Sequence, residues 1–390
     1  MGPGCIRKGP HSCEKTFKEN SLTCNLECYR SMISNRCKLF PEEGGLRMVT
    51  IAQIARELGV SASTISAVIN KGPYVSAAMR ARVEKALQEA NYQPNAAARS
   101  LRRRESRRIG LIVPNLADPF FSKLIRGAED YLCSVGYRML VAESREDWKR
   151  QQDYLVSFSG MIADGIILVP CAAGDQQLAA LPEIVGRVPL VYVDRCPLEC
   201  KTASVLIDNL QAAFDATQHL TGLGHQRIAI ITGPLNLLNA VERLNGYKSA
   251  LRTQGIPLDR VLVRAGDYSE ESGYWHGSEM LRLPNRPTAV LACGLLITLG
   301  VLTAIREMGM GCPSEVSLIG FDDFAWSKLL SPALTMVRQP ASELGAAAAK
   351  VVLKRLRAPD EETVDNVTLP TQLMVRESTA PPAPRSLTAK

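Results

Sequence analysis

Several features that support enzyme chemistry are scarce or missing in this chain of 390 residues. It contains only 4 histidines, so general acid–base catalysis has few candidate residues. The sequence has no glycine-rich phosphate loop, no zinc-binding His-Glu helix and no Gly-x-Ser-x-Gly nucleophile turn. These absences argue against an enzyme, and we expect neither a cofactor nor a metal site.

Long apolar runs are also missing, with one exception. Residues 288–305 carry no charge over 18 positions, the length at which a membrane helix becomes a candidate. Pro284 and Pro287 precede this run. Gly294 and Gly300 interrupt it, so we interpret it as a buried strand followed by a helix. We therefore expect a soluble, cytoplasmic protein that does not contact a membrane.

The cysteine count of 11 is high, but the cysteines are unevenly spread. Five lie in residues 1–47 and the others are scattered, a pattern that favours reduced thiols over a disulfide framework. Cys196 and Cys200 are close in sequence, but no histidine or second cysteine pair completes a zinc set. We interpret them as loop cysteines.

Residues 1–47 show no clear periodicity and no signal-peptide core. We expect an unstructured extension that results from a start-site artefact, because the organised sequence begins at Met48. The preceding Glu42-Glu43-Gly44 is what a purine-rich ribosome-binding sequence would encode if it were translated.

The clearest local pattern is TIAQIARELGVSASTISAVIN, residues 50–70. Apolar residues recur there at helical spacing, and the segment predicts two short helices. Thr50 and Ser61 are suitable N-caps, while Gly59 permits the turn between the helices. Ser76 caps a third helix. The spacing predicts a helix-turn-helix head at residues 48–93, although two core helices of any all-α domain would show the same local pattern.

Positive charge is concentrated on this segment. Residues 48–108 contain 11 Lys and Arg against 4 Asp and Glu, whereas the formal charge of the whole chain is +7. Residues 94–107 include most of a short basic run and read as a linker. The asymmetry indicates a polyanion bound at one end of the molecule.

From residue 109 the pattern changes to strands that alternate with helices. This alternation predicts parallel sheets covered on both faces, and its length favours two doubly wound lobes. The candidate strands are Ile109–Val113, Arg138–Ala142, Gly165–Val169, Leu190–Asp194, Val205–Asp208, Ile228–Thr232, Val261–Arg264, Ala289–Ala292 and Val316–Phe321. Ligands of such lobes bind at the carboxyl ends of the strands. Polar residues follow several strands there: Asn115, Asp118, Asp194, Arg195, Asp208, Asn209, Asp322 and Asp323.

These features together resemble the lactose-repressor (LacI/GalR) family of bacterial transcription regulators. The resemblance extends from Met48 to about Glu377. It rests on the helix-turn-helix segment and on a series of motifs in the expected order: YQPNAAARSL, DPFF, VDR, ERLNGY, VSLIGFDD and LTMVRQP. One such motif would be a weak signal, but the ordered set is specific.

The resemblance implies a fold, partners and boundaries. The head, residues 48–93, would bind near-palindromic operator DNA as part of a homodimer, and residues 94–107 would form a hinge helix and basic linker. Residues 108–377 would form a two-lobed, periplasmic-binding-protein-like (type I) effector domain. Residues 378–390 would be a flexible tail.

The resemblance also implies DNA contacts. Base-reading positions match Ala62, Ser63 and Ala67, and the last of these is commonly Arg in the family. Arg reads guanine with a bidentate fork, whereas Ala can contact only a thymine methyl group. The phosphate-anchoring or groove-framing positions match Thr50, Ser61, Thr64, Ser66, Asn70, Ser76, Tyr92 and Asn95.

Leu101, with Ala98 beside it, matches the leucine that family members insert into the minor groove. Such a wedge unstacks a base step and kinks the DNA. The alternative is that Leu101 only packs the hinge helix. The wedge predicts that Leu101→Ala weakens specific binding far more than non-specific binding.

For the effector, the resemblance implies six lining residues: Phe120, Phe121, Arg195, Arg243, Tyr268 and Asp322. Each arginine fits a structural ion pair equally well, but two arginines suit a carboxylate, phosphate or polyol ligand. We expect a sugar, a sugar acid or a related metabolite as effector, with a sugar acid or another acidic metabolite preferred. Gly294-Leu295 stands where sugar-binding members usually carry Asn-Asp, and Leu237 stands where purine-sensing members carry an arginine. The main hypothesis is a repressor switched by a small molecule. A solute-binding transport protein of the same fold is the alternative.

Overall fold

The computed structural model describes residues 49–70, 72–90, 92, 105–358 and 365–383. The chain forms two compact units, one extending to Asn95 and the other beginning at Ala96. Among the described residues, no helix combines the length and the apolar character that crossing a membrane requires.

The first unit contains three short helices around a small core. The helices are α1 (Ile51–Leu58), α2 (Ala62–Ile69) and α3 (Ala77–Glu89). The side chains of Thr50, Ser61 and Ser76 each accept a backbone amide of the first turn, so the three predicted N-caps are confirmed. The fully or nearly fully buried core residues are Ile54, Ala55, Ile65, Val68 and Val83.

The turn between α1 and α2 depends on Gly59. This residue adopts φ +64°, a left-handed conformation that glycine reaches without a steric penalty. Its amide donates to the carbonyl groups of the last helical turn and ends α1. The sequence prediction of a glycine turn between two capped helices is therefore confirmed.

The second unit contains two lobes, each built on a six-stranded sheet. In the first lobe the strand order is β11-β5-β4-β3-β1-β2. Its strands are β1 (Arg108–Val113), β2 (Arg138–Glu143), β3 (Gly165–Leu168), β4 (Leu190–Val193), β5 (Ser204–Ile207) and β11 (Asn366–Leu369). All neighbouring strands in this sheet are parallel.

The second lobe repeats this design with the order β12-β10-β9-β8-β6-β7. Its strands are β6 (Ile228–Thr232), β7 (Val263–Ala265), β8 (Ala289–Ala292), β9 (Ser317–Phe321), β10 (Thr335–Arg338) and β12 (Gln372–Met374). The strands are parallel except for β12, which pairs antiparallel with β10. The prediction of two doubly wound parallel lobes is confirmed.

Helices cover both faces of the sheets. Those of the first lobe are α4 (Pro119–Ser134), α5 (Trp148–Ser157), α6 (Asp175–Ala179), α7 (Leu181–Val185) and α12 (Ala341–Arg357). Those of the second lobe are α8 (Asn209–Gly222), α9 (Leu238–Thr253), α10 (Glu270–Leu281) and α11 (Leu295–Glu307). The charge-free run forms β8 and then α11, as the sequence predicted.

The chain passes between the lobes three times. The connections join β5 to α8, β10 to α12, and β11 to β12. Because each lobe contains both N-terminal and C-terminal segments, neither lobe is a continuous stretch of sequence. The strands of both sheets end at the cleft between the lobes, where loops carry polar residues.

Some sequence predictions were wrong. The strands β10, β11 and β12 were missed, because they are short and the last two lie at sheet edges, where burial is partial. The strand predicted at Val261–Arg264 begins only at Val263. The Asp259 side chain accepts the Val261 amide (3.0 Å) and closes a 3₁₀ turn over Arg260–Leu262.

The boundary predicted at residue 378 also lies too early. Ser378 is fully buried, and its carbonyl accepts the Leu318 amide (2.8 Å). The carbonyl of Ala380 lies 2.9 Å from Nε2 of the buried His225. The segment that follows β12 is therefore held against the second lobe at least as far as Ala380.

Candidate functional site

The second helix of the head carries short polar side chains on its exposed side. Ser61, Ala62, Ser63 and Asn70 are exposed, whereas Thr64, Ser66 and Ala67 are half-buried. Thr50 and Ser76 are exposed N-caps, and Tyr92 is half-buried. The predicted DNA-contacting residues Asn95, Ala98 and Leu101 lie outside the described residues.

The hydroxyl groups at the start of this helix form hydrogen bonds with one another. The Ser61 Oγ lies 2.6 Å from the Ser63 Oγ and 2.8 Å from the Thr64 Oγ1. At the other end, the Asn70 side-chain amide donates to the Ser66 carbonyl oxygen (2.8 Å). These contacts fix the polar surface of the helix before any partner binds.

The helix N-termini of the head are free of acidic residues. None of α1, α2 and α3 has an Asp or Glu in its first turn. The partial positive charge of each N-terminus is therefore not neutralised by its own helix, an arrangement that suits phosphate groups.

A second candidate site lies between the two lobes. It is a cavity of about 700 Å³ at the carboxyl ends of β1, β4, β8 and β9. All six residues predicted for the effector line it: Phe120, Phe121, Arg195, Arg243, Tyr268 and Asp322. The structure therefore brings together residues that are up to two hundred positions apart in the sequence.

Arg195 follows β4 and is 5% exposed. Its Nη1 donates to Glu146 Oε1 (2.7 Å), and its Nε lies 3.6 Å from Asp194 Oδ2. The guanidinium lies 4.1 Å from the ring centre of Tyr268, which belongs to the other lobe. The structural ion pair considered for this arginine is present, and the arginine also lines the cavity.

Arg243 is held in a similar way on the second lobe, where α9 carries it. Its Nε donates to Asn209 Oδ1 and its Nη1 to the Cys293 carbonyl oxygen, at 2.8 and 2.9 Å. Its guanidinium stacks 4.2 Å from the centre of the Phe321 ring. Each guanidinium thus has one face against an aromatic ring, and the protein engages one N–H group of Arg195 and two of Arg243 in hydrogen bonds.

Tyr268 connects the two walls. It adopts φ +67°, and its hydroxyl accepts the Asn239 side-chain amide (2.8 Å). Burial raises the pKa of this phenol to about 12, so it remains protonated. A side chain at Gly233 would overlap the tyrosine ring, so glycine is required there.

Three carboxyl groups in the cavity are hard to ionise. Burial, together with the nearby carboxylate of Asp322, raises the pKa of Asp118 to about 7. Burial also raises the pKa of Asp194 to about 6, although Arg195 and Arg243 oppose this effect. The pKa of Asp322 is raised by burial as well, while Arg243 and a hydrogen bond from Gln339 act in the opposite direction.

The lining as a whole is acidic. It contains six carboxyl groups and three arginines. The carboxyl groups belong to Asp118, Glu143, Glu146, Asp194, Asp267 and Asp322, and the arginines are Arg145, Arg195 and Arg243. Because burial raises the pKa values of Asp118, Asp194 and Asp322, the net charge of the lining depends on how many of these three groups are ionised.

Several buried polar atoms on the lining residues have no hydrogen-bond partner within the part of the chain that the structure describes. They are Asp194 Oδ1, Arg195 Nε, Asn239 Oδ1 and Gln339 Oε1, all on residues that are more than nine-tenths buried. Three of these atoms are acceptors and one is a donor. A buried polar atom without a hydrogen-bond partner costs free energy, so a ligand that forms hydrogen bonds with these atoms would bind more tightly.

The sequence did not identify Glu146, Asn239 and Gln339 as site residues. None of them directly follows a predicted strand, which was the signal used for Asp194 and Asp322. Glu146 lies three residues beyond β2, Asn239 lies in the first turn of α9, and Gln339 follows the missed strand β10.

Comparisons with known proteins agree with this arrangement. The family model for bacterial regulatory proteins of the lacI family matches residues 50–95, and that for a periplasmic binding protein-like domain matches residues 217–379. The ribose operon repressor of Haemophilus influenzae is 36% identical over 331 residues, which cover 85% of this chain and 98% of that protein. The chain belongs to the LacI family.

As a LacI-family member, the protein is a DNA-binding transcriptional regulator controlled by a small-molecule effector, and it is not an enzyme. A crystal structure of the Lac repressor dimer bound to operator and the anti-inducer ONPF matches with a TM-score of 0.75 and 28% identity. The match covers 86% of this chain and all of that one. A LacI-family regulator from Enterococcus faecium with bound ribose matches with a TM-score of 0.61 and 30% identity, over 70% of this chain and 99% of that one.

Proposed function

We propose that this LacI-family protein is a repressor that binds a near-palindromic operator as a homodimer in the cytoplasm. Its effector is a neutral molecule rich in hydroxyl groups, bound in the cavity between the lobes. The observation that carries this proposal is the set of buried polar atoms without partners in the cavity wall, in which acceptors outnumber donors.

The chemistry of these atoms selects the ligand class. Asp194 Oδ1, Asn239 Oδ1 and Gln339 Oε1 require hydrogen-bond donors, which sugar hydroxyls supply. A carboxylate or phosphate ligand would supply acceptors and would add negative charge near Glu143 and Asp267, two lining carboxyl groups whose pKa values are lowered by hydrogen bonds. The aromatic faces of Phe120 and Phe121 suit the apolar face of a sugar ring.

Two of the similar proteins support the same class, although purine repressors (PurR) of about the same identity are also among the relatives. One is named for the ribose operon, and the Enterococcus faecium regulator has ribose bound. This chain carries Gly294-Leu295 at the start of α11, so its hydrogen bonds to such a sugar must come mainly from the first-lobe wall, α9 and Gln339.

A thermal-shift screen tests the effector class. Neutral pentoses, hexoses and cyclitols should raise the melting temperature of the full chain, because binding to the native state stabilises it. The matching sugar acids should not. Asp194→Asn should weaken the effective sugar by about 10- to 100-fold, since a required acceptor becomes a donor. Asp175→Asn, at an exposed position away from the cavity, is the control. A rise in melting temperature with sugar acids but not with neutral sugars would refute the proposed class of effector.

The operator contacts are proposed for the exposed face of α2. Its short side chains supply few base-specific hydrogen bonds, so we infer that operator shape and half-site spacing contribute much of the specificity. Selection from random DNA with the full chain tests this. Ala67→Arg should change the preferred sequence, because a fork that reads guanine is added. Ala81→Arg, on α3, adds the same charge and should leave the sequence logo unchanged.

For Leu101 the wedge into the minor groove stays a prediction. Leu101→Ala should reduce binding to the selected operator far more than binding to random DNA, because only the specific complex is kinked. The neighbouring Arg102→Ala is a useful comparison, since loss of a phosphate contact should weaken both and should reduce the salt dependence. Equal losses for Leu101→Ala on both DNAs would favour the packing alternative.

A further inference from the structure

Two free thiols lie on the loop between β4 and β5, residues 194–203. Cys196 and Cys200 stand on either side of a turn at Leu198 and Glu199. Cys196 belongs to a buried apolar cluster of the first lobe, and Cys200 packs against the same cluster. The Cys200 thiol donates to the Thr202 carbonyl oxygen (3.1 Å), which helps to hold it in place.

The two cysteines differ in exposure and acidity. Cys196 is 1% exposed, and its pKa is raised by the hydrogen bond to Cys200 and by burial. Cys200 is half-buried, and the hydrogen bond from Cys196 lowers its pKa to about 7. The accessible sulfur is thus the one that more readily forms a thiolate, the reactive species in thiol chemistry.

The other described cysteines lack this combination. Burial raises the pKa of Cys171 and of Cys293 to about 12 and that of Cys312 to about 11. Cys133 is exposed, and in the part of the chain that the structure describes no second cysteine contacts it. Cys196 and Cys200 are therefore the pair in which an oxidised sulfur has an adjacent thiol to react with.

The loop also connects the cavity with the opposite lobe. Asp194 and Arg195, which line the cavity, immediately precede Cys196. The Cys196 carbonyl accepts the amide of Leu238 at the start of α9 (3.0 Å), and Pro197 forms a bridge with Leu237. A change in the backbone at Cys196 would be felt both by the Arg195 side chain and by the contact between the lobes.

We propose that Cys196 and Cys200 are a reversible dithiol–disulfide couple, oxidised by peroxides, that repositions this loop and its contact with the second lobe. Any consequence for effector binding rests on the function proposed above. The redox couple itself does not depend on the identity of the effector.

The reaction balances with a peroxide as oxidant. The Cys200 thiolate attacks one peroxide oxygen, the O–O bond breaks, and hydroxide leaves and is protonated to water, which gives a sulfenic acid. The Cys196 sulfur then attacks the Cys200 sulfur, the S–O bond breaks, and a second water leaves as the disulfide forms. The two thiols lose two electrons and two protons, and a dithiol reductant reverses the reaction.

Peptide mapping tests the assignment on the full chain. Trypsin cleaves after Arg195 and Lys201, so both cysteines fall in the peptide CPLECK. After peroxide treatment and alkylation, this peptide should be recovered without alkyl groups and lighter by two hydrogens than the dithiol form, and dithiothreitol should restore it. Recovery of the alkylated dithiol while Cys133 is oxidised would overturn the proposal.

Single variants test the order of the steps. In Cys196→Ser, the Cys200 sulfenic acid has no partner and should accumulate, where dimedone would trap it. In Cys200→Ser, the buried Cys196 should stay reduced. Cys133→Ser is the matched control and should leave the disulfide yield unchanged. Equal trapping of sulfenic acid in the two loop variants would contradict the assigned roles.

Hydrogen exchange tests the coupling without any effector. Oxidation should change the exchange rate of the Leu238 amide by about 10-fold or more, because the Cys196 carbonyl is its acceptor. The same treatment should have no effect in Cys200→Ser. An unchanged Leu238 amide in the fully oxidised wild-type protein would show that the disulfide forms without moving the interlobe contact.

Discussion

The polar side chains of the head and those of the cavity lie in opposite environments. On α2, Ser61, Ser63 and Asn70 are exposed, and their hydrogen bonds reach only neighbours on the same helix. In the cavity, Arg195 and Arg243 are 5% and 2% exposed, and their partners come from distant parts of the sequence. The head therefore resembles a solvated surface, and the cavity resembles a protein core built from charges.

This difference determines what substitutions should do. Loss of an exposed hydrogen bond returns its partner to water, so the cost is small. Loss of a buried charge leaves its partners without compensation in a place that water does not reach, so the cost is large. The same type of substitution should therefore lower the free energy of unfolding by several kcal/mol more in the cavity than in the head.

The largest effect is expected at Arg243. Arg243→Met should lower the free energy of unfolding by about 3–5 kcal/mol, because Asp322, Asn209 and the Cys293 carbonyl lose their buried partner. Arg243→Lys should recover only part of this loss, since lysine lacks the fork. Urea denaturation measures both. Arg145→Met, on the exposed rim of the same cavity, should leave stability nearly unchanged. An equal loss there would contradict the claim that burial makes the loss of a charge costly.

A second, smaller effect should depend on pH. The pKa of Asp118 is raised to about 7, so the folded state disfavours its charged form. The contribution of this group to the free energy of unfolding is fully present below about pH 4 and is lost as the pH rises through 7. We expect Asp118→Asn, which can still accept the Phe120 amide through its carbonyl oxygen, to remove about 2 kcal/mol of that decline. This is about half of what the shift implies at about 1.4 kcal/mol per pKa unit, because Asp118 is only half-buried and solvent screens its charge.

The measurement for Asp118 is a series of urea denaturation curves between about pH 4 and pH 8. Asp194 and Asp322 should leave a residual decline in the variant, because burial raises their pKa values as well. A wild-type stability that increases over this range would contradict the assignment.

Removal of the capping box at the start of α1 should lower the local stability of this helix by about 1 kcal/mol. Thr50 accepts the Gln53 amide and its own amide donates to the Gln53 side chain, at 3.3 and 2.8 Å. Thr50→Ala should therefore speed exchange of the α1 amides about fivefold. Amides of the second unit serve as the internal control, and faster exchange there would mean that the effect is not local.

The smallest effect is expected for the ion pair between Lys85 and Glu89. Both side chains are more than half exposed and their charged atoms are 3.7 Å apart. Lys85→Ala should change the free energy of opening of α3, measured by hydrogen exchange of its amides, by less than about 0.5 kcal/mol. A loss as large as that of Thr50→Ala would show that exposed contacts in the head are more strongly coupled than we infer.

Local signals were enough to predict most elements. Thr50, Ser61, Ser76 and Gly59 were identified from the sequence because caps and turns depend on one or two neighbouring residues. The central strands were found because burial on both faces makes them continuously apolar. The edge strands β11 and β12 failed this test, since neither contains a fully buried residue.

The cavity was predicted only in part, for a related reason. Residues that directly follow a strand, such as Asp194 and Asp322, could be placed from the rule that parallel strands end at a ligand site. Nothing in the local sequence distinguishes Glu146 from the other acidic residues of the chain. Its role depends on Arg195, which is 49 positions away.

The sequence by itself determined the helix-turn-helix head, the two parallel lobes and the family, because capping, periodicity and ordered motifs are local properties. The tertiary structure alone decided how the buried charges pair and which polar atoms are left for a ligand. Such contacts join residues that are 34 to 50 positions apart in the sequence, so they exist only after each lobe has folded. For this reason the sequence favoured an acidic ligand from two arginines, whereas our proposal of a neutral ligand rests on the surroundings of those arginines.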